Sequence, residues 1–272
     1  MSTNIYLKEL KRYRNSVAAW TVAIGALIFL GMVFYPVLME GNTLRQLTAF
    51  FENPFMKNIL SAFGVSLNAM IDPLGYYVTR NAIFVLLLGS FFSILLAGKI
   101  LSREEHEKTA EFLLAKPVTR SEVVGSKVAA FFTCLVGLNA VIVIIGFISL
   151  EIYKGNHDYR AARYLVHCGY CFLLMMSLGA AGLFLSVLIK RGRPITNISI
   201  GIVTGAYIID VLSRVTESAD KIGYLSPFKF VDSNVLLPHY GLVWWRVLYF
   251  LGISFMLIAL TFVIYKRKDI LV

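Results

Sequence analysis

Cys168-Gly169-Tyr170-Cys171 holds two thiols at the spacing of a thiol–disulfide exchange motif, with His167 beside them. Neither a second thiol pair nor a soluble redox domain accompanies it. Two cysteines three apart share one helical face, so the pair reads as packing residues, with no redox or metal role expected. Glu104-Glu105 sets two carboxylates side by side, a pattern that acid–base chemistry uses. No His-x-x-x-His set or Gly-x-Ser-Gly nucleophile goes with it, and no catalytic residue is expected. Gly98-Lys99 lacks the upstream glycine of a phosphate loop, Gly-x-x-x-x-Gly-Lys-Ser/Thr, so any ATP must be bound by another chain. Asn139, Thr204 and Asp210 stand out as polar groups inside apolar surroundings. Polar groups facing lipid are costly, so these three are candidates for an interior translocation path. Hydrogen bonding between helices accounts equally well for Asn139 and Thr204. Simple solvation at a span end is the better reading of Asp210.

The elements that hold these residues are set by composition. Of the 272 residues, 58% are hydrophobic and 15% charged, against about a quarter charged in soluble domains. The apolar residues run in blocks at 17–38, 81–98, 128–150, 168–189, 195–212 and 247–265. A helix rises ~1.5 Å per residue, so each block comes close to a hydrocarbon layer of ~30 Å. Backbone groups in lipid must be satisfied within the segment, which makes each block a helix. The expected fold is all-α: one transmembrane domain over residues 1–272, with six spans. The first block is too long for a signal sequence and should stay as a permanent span.

The formal net charge of +10 is distributed as a topology signal. With the amino terminus in the cytoplasm, the inner segments hold 16 of the 26 Lys and Arg residues and carry +9. The outer segments carry +1. Short-loop Lys and Arg bias of this kind orients a polytopic chain, so both ends are expected inside and no nucleic-acid partner is implied.

Around the spans lie amphipathic segments. Tyr6, Leu10 and Tyr13 fall on one stripe before the first span, opposite Lys8, Lys11 and Arg12, which predicts a helix in the headgroup region. A merely basic, topogenic tail is the alternative. Outside, Leu44, Leu47, Phe50, Phe51, Phe55, Ile59 and Phe63 recur at helical spacing around Pro54. They predict amphipathic helices that rest on the bilayer or roof a cavity. Gly201 with Gly205, and Gly182 with Ser186, allow close helix approach within the subunit or across a dimer seam.

The loop at 99–127 is the most informative. Ser102-Arg103-Glu104-Glu105 and Thr119-Arg120-Ser121-Glu122 both have the capping-box form, and Pro117 separates them. Ala110, Leu113 and Leu114 form an apolar stripe. The mixture of six bases and five acids suits a docking surface better than a lipid-binding patch.

At these residues the chain resembles the permease subunits of the bacterial type-2 ABC exporter family. The family's loop reads roughly Glu-x-x-x-Gly-Thr-x-Glu-x-Leu-Leu-x-x-Pro-Val-Ser/Thr-Arg, with a lysine several residues on. Thr109, Glu111, Leu113, Leu114, Pro117 and Arg120 match, Lys127 follows, and Lys108 replaces the usual glycine. Leu225-Ser226-Pro227-Phe228-Lys229-Phe230 resembles a second, outer segment of such permeases.

The resemblance implies an elbow helix ahead of six spans and a cytoplasmic coupling helix. Glu104, Glu107, Thr109, Glu111, Leu113, Leu114, Pro117 and Arg120 would contact the ATPase or brace the loop. It further implies two cytoplasmic ABC ATPase subunits that bind ATP and Mg, and a second permease copy or close paralogue. No cofactor is expected in this chain. The expected location is the bacterial cytoplasmic membrane, and the almost uncharged interior points to a hydrophobic or amphipathic cargo, peptide or drug-like. An ion-coupled secondary transporter would need ionisable groups or broken helices at mid-membrane, in repeated halves, which the sequence lacks. An intramembrane enzyme would need the catalytic sets already found missing.

Overall fold

A computed structural model describes residues 2–62, 65–106, 118–189, 195–215, 220–231, 235–236 and 240–267. Among them the ordered elements are helices only. In chain order these are α1 (Thr3–Leu38), α2 (Gly41–Glu52), α3 (Pro54–Ala62), α4 (Leu67–Ile71), α5 (Pro73–His106) and α6 (Arg120–Tyr153). There follow α7 (Ala161–Leu188), α8 (Ile195–Val215), α9 (Asp220–Gly223), a 3-10 turn (Pro227–Phe230) and α10 (Trp244–Arg267). Six are long and apolar enough to cross a bilayer: α1, α5, α6, α7, α8 and α10. The chain is an all-α polytopic membrane protein.

Several helices outrun their apolar blocks. α5 begins at Pro73 and α7 at Ala161, well before residues 81 and 168. Charged residues such as Arg80 and Arg163 end an apolar run, but they do not break a helix; proline and a competing cap do. The amphipathic segment at the start of the chain is helical and continues into the first span, so α1 is one rod of 36 residues. Its inner stripe, Ile5, Glu9 and Tyr13, is buried.

The bundle is centred on α5 and α7. Gly182 lets them meet: a Cβ there would lie 2.5 Å from the Ile94 carbonyl oxygen and 3.1 Å from the Ala97 Cβ. Ser93 Oγ adds a hydrogen bond to the Met175 carbonyl. α1 packs along α6, and α7 also carries α10, where Tyr170 Oη donates to the Gly241 carbonyl and accepts from the Val243 amide. Tyr35, Tyr76, Tyr164 and Tyr170 are among the largest fully buried side chains. Each phenol is satisfied, for example Tyr164 Oη by the Val143 carbonyl at 2.7 Å. A buried hydroxyl left unpaired would be costly, so these bonds also fix helix register.

The periphery is as apolar as the core. Val22, Phe34, Leu248 and Phe255 are more than half exposed. In water such a surface would drive aggregation, whereas hydrocarbon solvates it.

Both chain ends lie on one face of the bundle. The Ser2 amide donates to Ser126 Oγ at 2.8 Å, near the start of α6, and Arg120 Nη1 donates to the Lys266 carbonyl at 3.3 Å. On the opposite face, α2 and α3 are separated by a break at Asn53, as Pro54 predicts, and Asn53 Oδ1 accepts from the Phe55 amide. Leu44, Leu47 and Phe63 lie outside the residues whose side chains are described.

Candidate functional site

The face bearing the chain ends also bears both arms of the 99–127 loop. One arm is the last turns of α5. A helix start is expected at Ser102, yet α5 runs through it to His106. Ser102 is buried, and its hydroxyl donates to the Gly98 carbonyl at 2.8 Å. A serine can bond back to the carbonyl four residues earlier instead of capping, and here the preceding span supplies that carbonyl.

The second arm is the start of α6, and there the expected capping box is present. Thr119 Oγ1 accepts from the Glu122 amide at 3.2 Å, while Glu122 Oε2 accepts from the Thr119 amide at 3.0 Å. Two of the helix's unpaired amides are satisfied reciprocally, so the loop ends in a fixed place and direction.

Lys127 ties the arms together. It is completely buried, and its ammonium donates to the Ile100 carbonyl at 2.6 Å. A charge-assisted bond at that distance, inside protein, locks α6 to the end of α5. α1 joins the same knot. Glu9 is 2% exposed with Arg12 Nη1 3.9 Å from Oε1, and the Arg103 guanidinium lies 6.0 Å from the centre of the Tyr13 ring. Arg120, from the loop motif, reaches the end of α10. Four helices, α1, α5, α6 and α10, are thus bound where the loop leaves and re-enters the bundle. Sequence reasoning gave Lys127 no structural role. The only signal was its recurrence in the family pattern.

Of the proposed coupling residues, Glu107, Thr109, Glu111, Leu113, Leu114 and Pro117 lie outside the described residues. Glu104 sits on the last turn of α5, and its side chain is also outside them. Arg120 alone has its side chain described.

Asn139, Thr204 and Asp210 sit in three different settings. Asn139, on α6, donates to the Leu135 carbonyl at 2.9 Å and to Met175 Sδ at 3.4 Å. It is an interhelical polar contact to α7. It also borders a small void of about 10 Å³ together with Tyr77, His167, Cys168 and Cys171. Cys168 and Cys171 are free thiols, and His167 Nε2 is 3.5 Å from Cys171 Sγ. Among the described residues no group of three His, Cys, Asp or Glu comes together to hold a metal.

Thr204 is exposed on the outward face of α8. On the same helix, a Cβ added at Gly201 or Gly205 would meet nothing within 4 Å. Within the described subunit these glycines pack against nothing, unlike Gly182.

Asp210 departs from the expectation of solvation. It is 3% exposed, and its Oδ2 accepts from Arg214 Nη2 at 2.8 Å. The cause lies further along the chain, in residues 220–230, which fold back over the end of α8. Ser226 Oγ donates to the Ala206 carbonyl at 2.7 Å and caps the 3-10 turn by accepting from the Phe228 amide. Phe228 sets its ring edge-on to Tyr207, and Phe230 stacks on Tyr249 with centroids 4.1 Å apart. The Leu-Ser-Pro-Phe segment is therefore a staple joining α8 to α10. Serine supplies the fully buried bond, and the aromatics supply area and geometry.

A search of the curated proteins finds no match. The family described as "ABC-2 family transporter protein" matches residues 3–270, nearly the full length. That match takes in the six spans, the loop with its clamped arms and the Ser226 staple, and the chain belongs to the ABC-2 transporter family as a membrane-embedded permease.

Proposed function

We propose that the chain is the permease subunit of an ATP-driven exporter, powered by a separate ATPase pair that docks on the loop at 99–127. The observation that carries this reading is the clamp around that loop. Lys127 on the Ile100 carbonyl joins the two arms, and the Thr119–Glu122 box fixes where α6 begins. A push that reaches those arms moves α5 and α6, whereas arms loosely joined to their spans would absorb it. ATP and Mg would be held by the partner, since this sequence has no phosphate loop.

The face bearing the chain ends is the cytoplasmic face in this reading, because the segments on it carry the Lys and Arg excess. The membrane is the bacterial cytoplasmic membrane. A second permease copy or paralogue fits the open small-residue face of α8, where Gly201 and Gly205 leave room for close approach. The cargo is hydrophobic or amphipathic, in keeping with an interior that offers few ionisable groups. Glu104, Glu107, Thr109, Glu111, Leu113, Leu114, Pro117 and Arg120 contact the ATPase or brace the loop.

The test is the double substitution Glu111→Ala, Leu113→Ala in the full complex in proteoliposomes. Insertion and ATP hydrolysis should persist while export falls. Unchanged assembly and export would refute the coupling assignment.

A further inference from the structure

On the face opposite the chain ends, α2, α3, α4 and the first turns of α5 line a half-open cavity of about 310 Å³. That is the lower part of the ~300–1,000 Å³ range of small-molecule sites. Its wall is almost wholly apolar and includes Phe50, Phe51, Met70 and Phe84. The polar exceptions sit together on α5. Tyr76 already gives its hydroxyl proton to the Gly31 carbonyl at 3.1 Å. Thr79 and Arg80 border the cavity beside it. Arg80 is exposed and has no carboxylate partner among the described residues.

The chamber is built, rather than left over from loose packing. Tyr35 Oη donates to the Ile71 carbonyl at 2.7 Å, tying the far end of α1 to α4. Ser66 Oγ caps α4 at the Ala69 amide, and Asp72 Oδ1 accepts from the Gly75 amide at 2.8 Å. Gly75 is required there, because a Cβ would lie 2.4 Å from the Ala69 carbonyl oxygen. The floor and the α4 wall therefore hold their places without a ligand.

Depth adds a second constraint. The apolar run of α5 starts at residue 81, so Arg80 stands immediately before it, at the level of the headgroups. A guanidinium there prefers a carboxylate or phosphate, which it can grip with two parallel hydrogen bonds. The cavity beside it offers an apolar tail a dry wall and offers a hydrophilic molecule almost nothing.

We propose that this cavity binds a single-chain anionic amphiphile, with its carboxylate or phosphate head on Arg80 and its tail against Phe50, Phe51, Met70 and Phe84. The same chemistry describes a lipid of the surrounding leaflet and an amphipathic cargo caught on its way out. The second source rests on the exporter reading; the first does not.

The probe is dansylundecanoic acid, with its methyl ester as the uncharged twin, added to the full chain in phosphatidylcholine nanodiscs. The acid should bind saturably and more tightly than the ester. Arg80→Gln should weaken the acid about 10-fold or more, the worth of one charge-assisted grip, and leave the ester unchanged. Arg80→Lys should restore part of the loss. Met70→Trp, which fills the chamber, should weaken both probes. Arg80 is exposed, so its variants should keep the wild-type melting profile. Absence of saturable binding, or equal binding of acid and ester before and after Arg80→Gln, overturns the proposal.

Displacement of the acid by lysophosphatidylglycerol assigns the site to bilayer lipid. ATP-driven release of the acid in the complete complex assigns it to cargo. Both outcomes support the site, and a complex that hydrolyses no ATP counts against the exporter reading alone.

Discussion

Gly182→Ala is the smallest change that should disturb the centre of the bundle. The added methyl would lie 2.5 Å from the Ile94 carbonyl oxygen and 3.1 Å from both the Ile94 Cα and the Ala97 Cβ. Ordinary contact begins near 3.4 Å, so α5 and α7 must part by about 1 Å along that direction, and backbone atoms cannot rotate aside as a side chain would. Overpacking of this kind costs about 1–3 kcal/mol, roughly a 5- to 150-fold change in the folding equilibrium. The clash falls on backbone atoms in the most extensive helix pair among the described residues, so the upper half of that range is expected. Gly201→Ala is the matched control. It makes the same change in a span, but its Cβ meets nothing within 4 Å, and its effect on the monomer should stay within about 0.5 kcal/mol. Both variants can be titrated with dodecyl sulfate in mixed micelles and followed by circular dichroism, at dilutions where the chain is monomeric. Equal stability of Gly182→Ala and wild type, or a larger loss from Gly201→Ala, would refute the claim that close approach at Gly182 holds the bundle.

Lys127→Met keeps the length of the side chain and removes the ammonium from the Ile100 carbonyl. Stability should fall by about 1–3 kcal/mol, and in the full complex ATP hydrolysis should outlast export; parallel loss of both would argue for damage to assembly. Ser226→Ala removes the bond to the Ala206 carbonyl and the cap at Phe228, a loss of about 1–2 kcal/mol confined to the staple. Hydrogen exchange should quicken over residues 225–230 and leave α7 unchanged, and uniform quickening would show that the segment is not a local clasp. Joint replacement of Cys168 and Cys171 by Ser should leave export in place, because both are read as packing thiols; a well-folded variant that has lost export would reinstate a chemical role for the pair.

The six crossings were legible because lipid imposes a requirement that composition alone must meet: long uncharged runs with no unpaired backbone. The break at Pro54 and the start of α6 were legible for the same kind of reason, since a missing amide proton and a reciprocal cap act within four residues. Ser102 shows where that local reasoning fails. Its capping pattern equals that of Thr119, but Ser102 follows a helix already under way, and Gly98 offers its carbonyl to the hydroxyl. Asp210 fails differently. Its exposure depends on residues 220–230 folding back across the end of α8, a contact that no window around position 210 contains. The clamp at Lys127 was hidden too, because helical periodicity averages to nothing where a span is apolar on every side. Which lysine turns inward is then decided by the neighbouring helix.

The unbroken course of α1 has a mechanical corollary. Thirty-six residues make a shaft of about 54 Å, nearly twice the thickness of the oily layer that grips it. Any tilt of its membrane-held portion is carried to the protruding end, and from Ser2 to Ser126 on α6. Glu9 and Tyr13 ride on that overhang, so Arg103 beside them would feel each tilt without any hinge between.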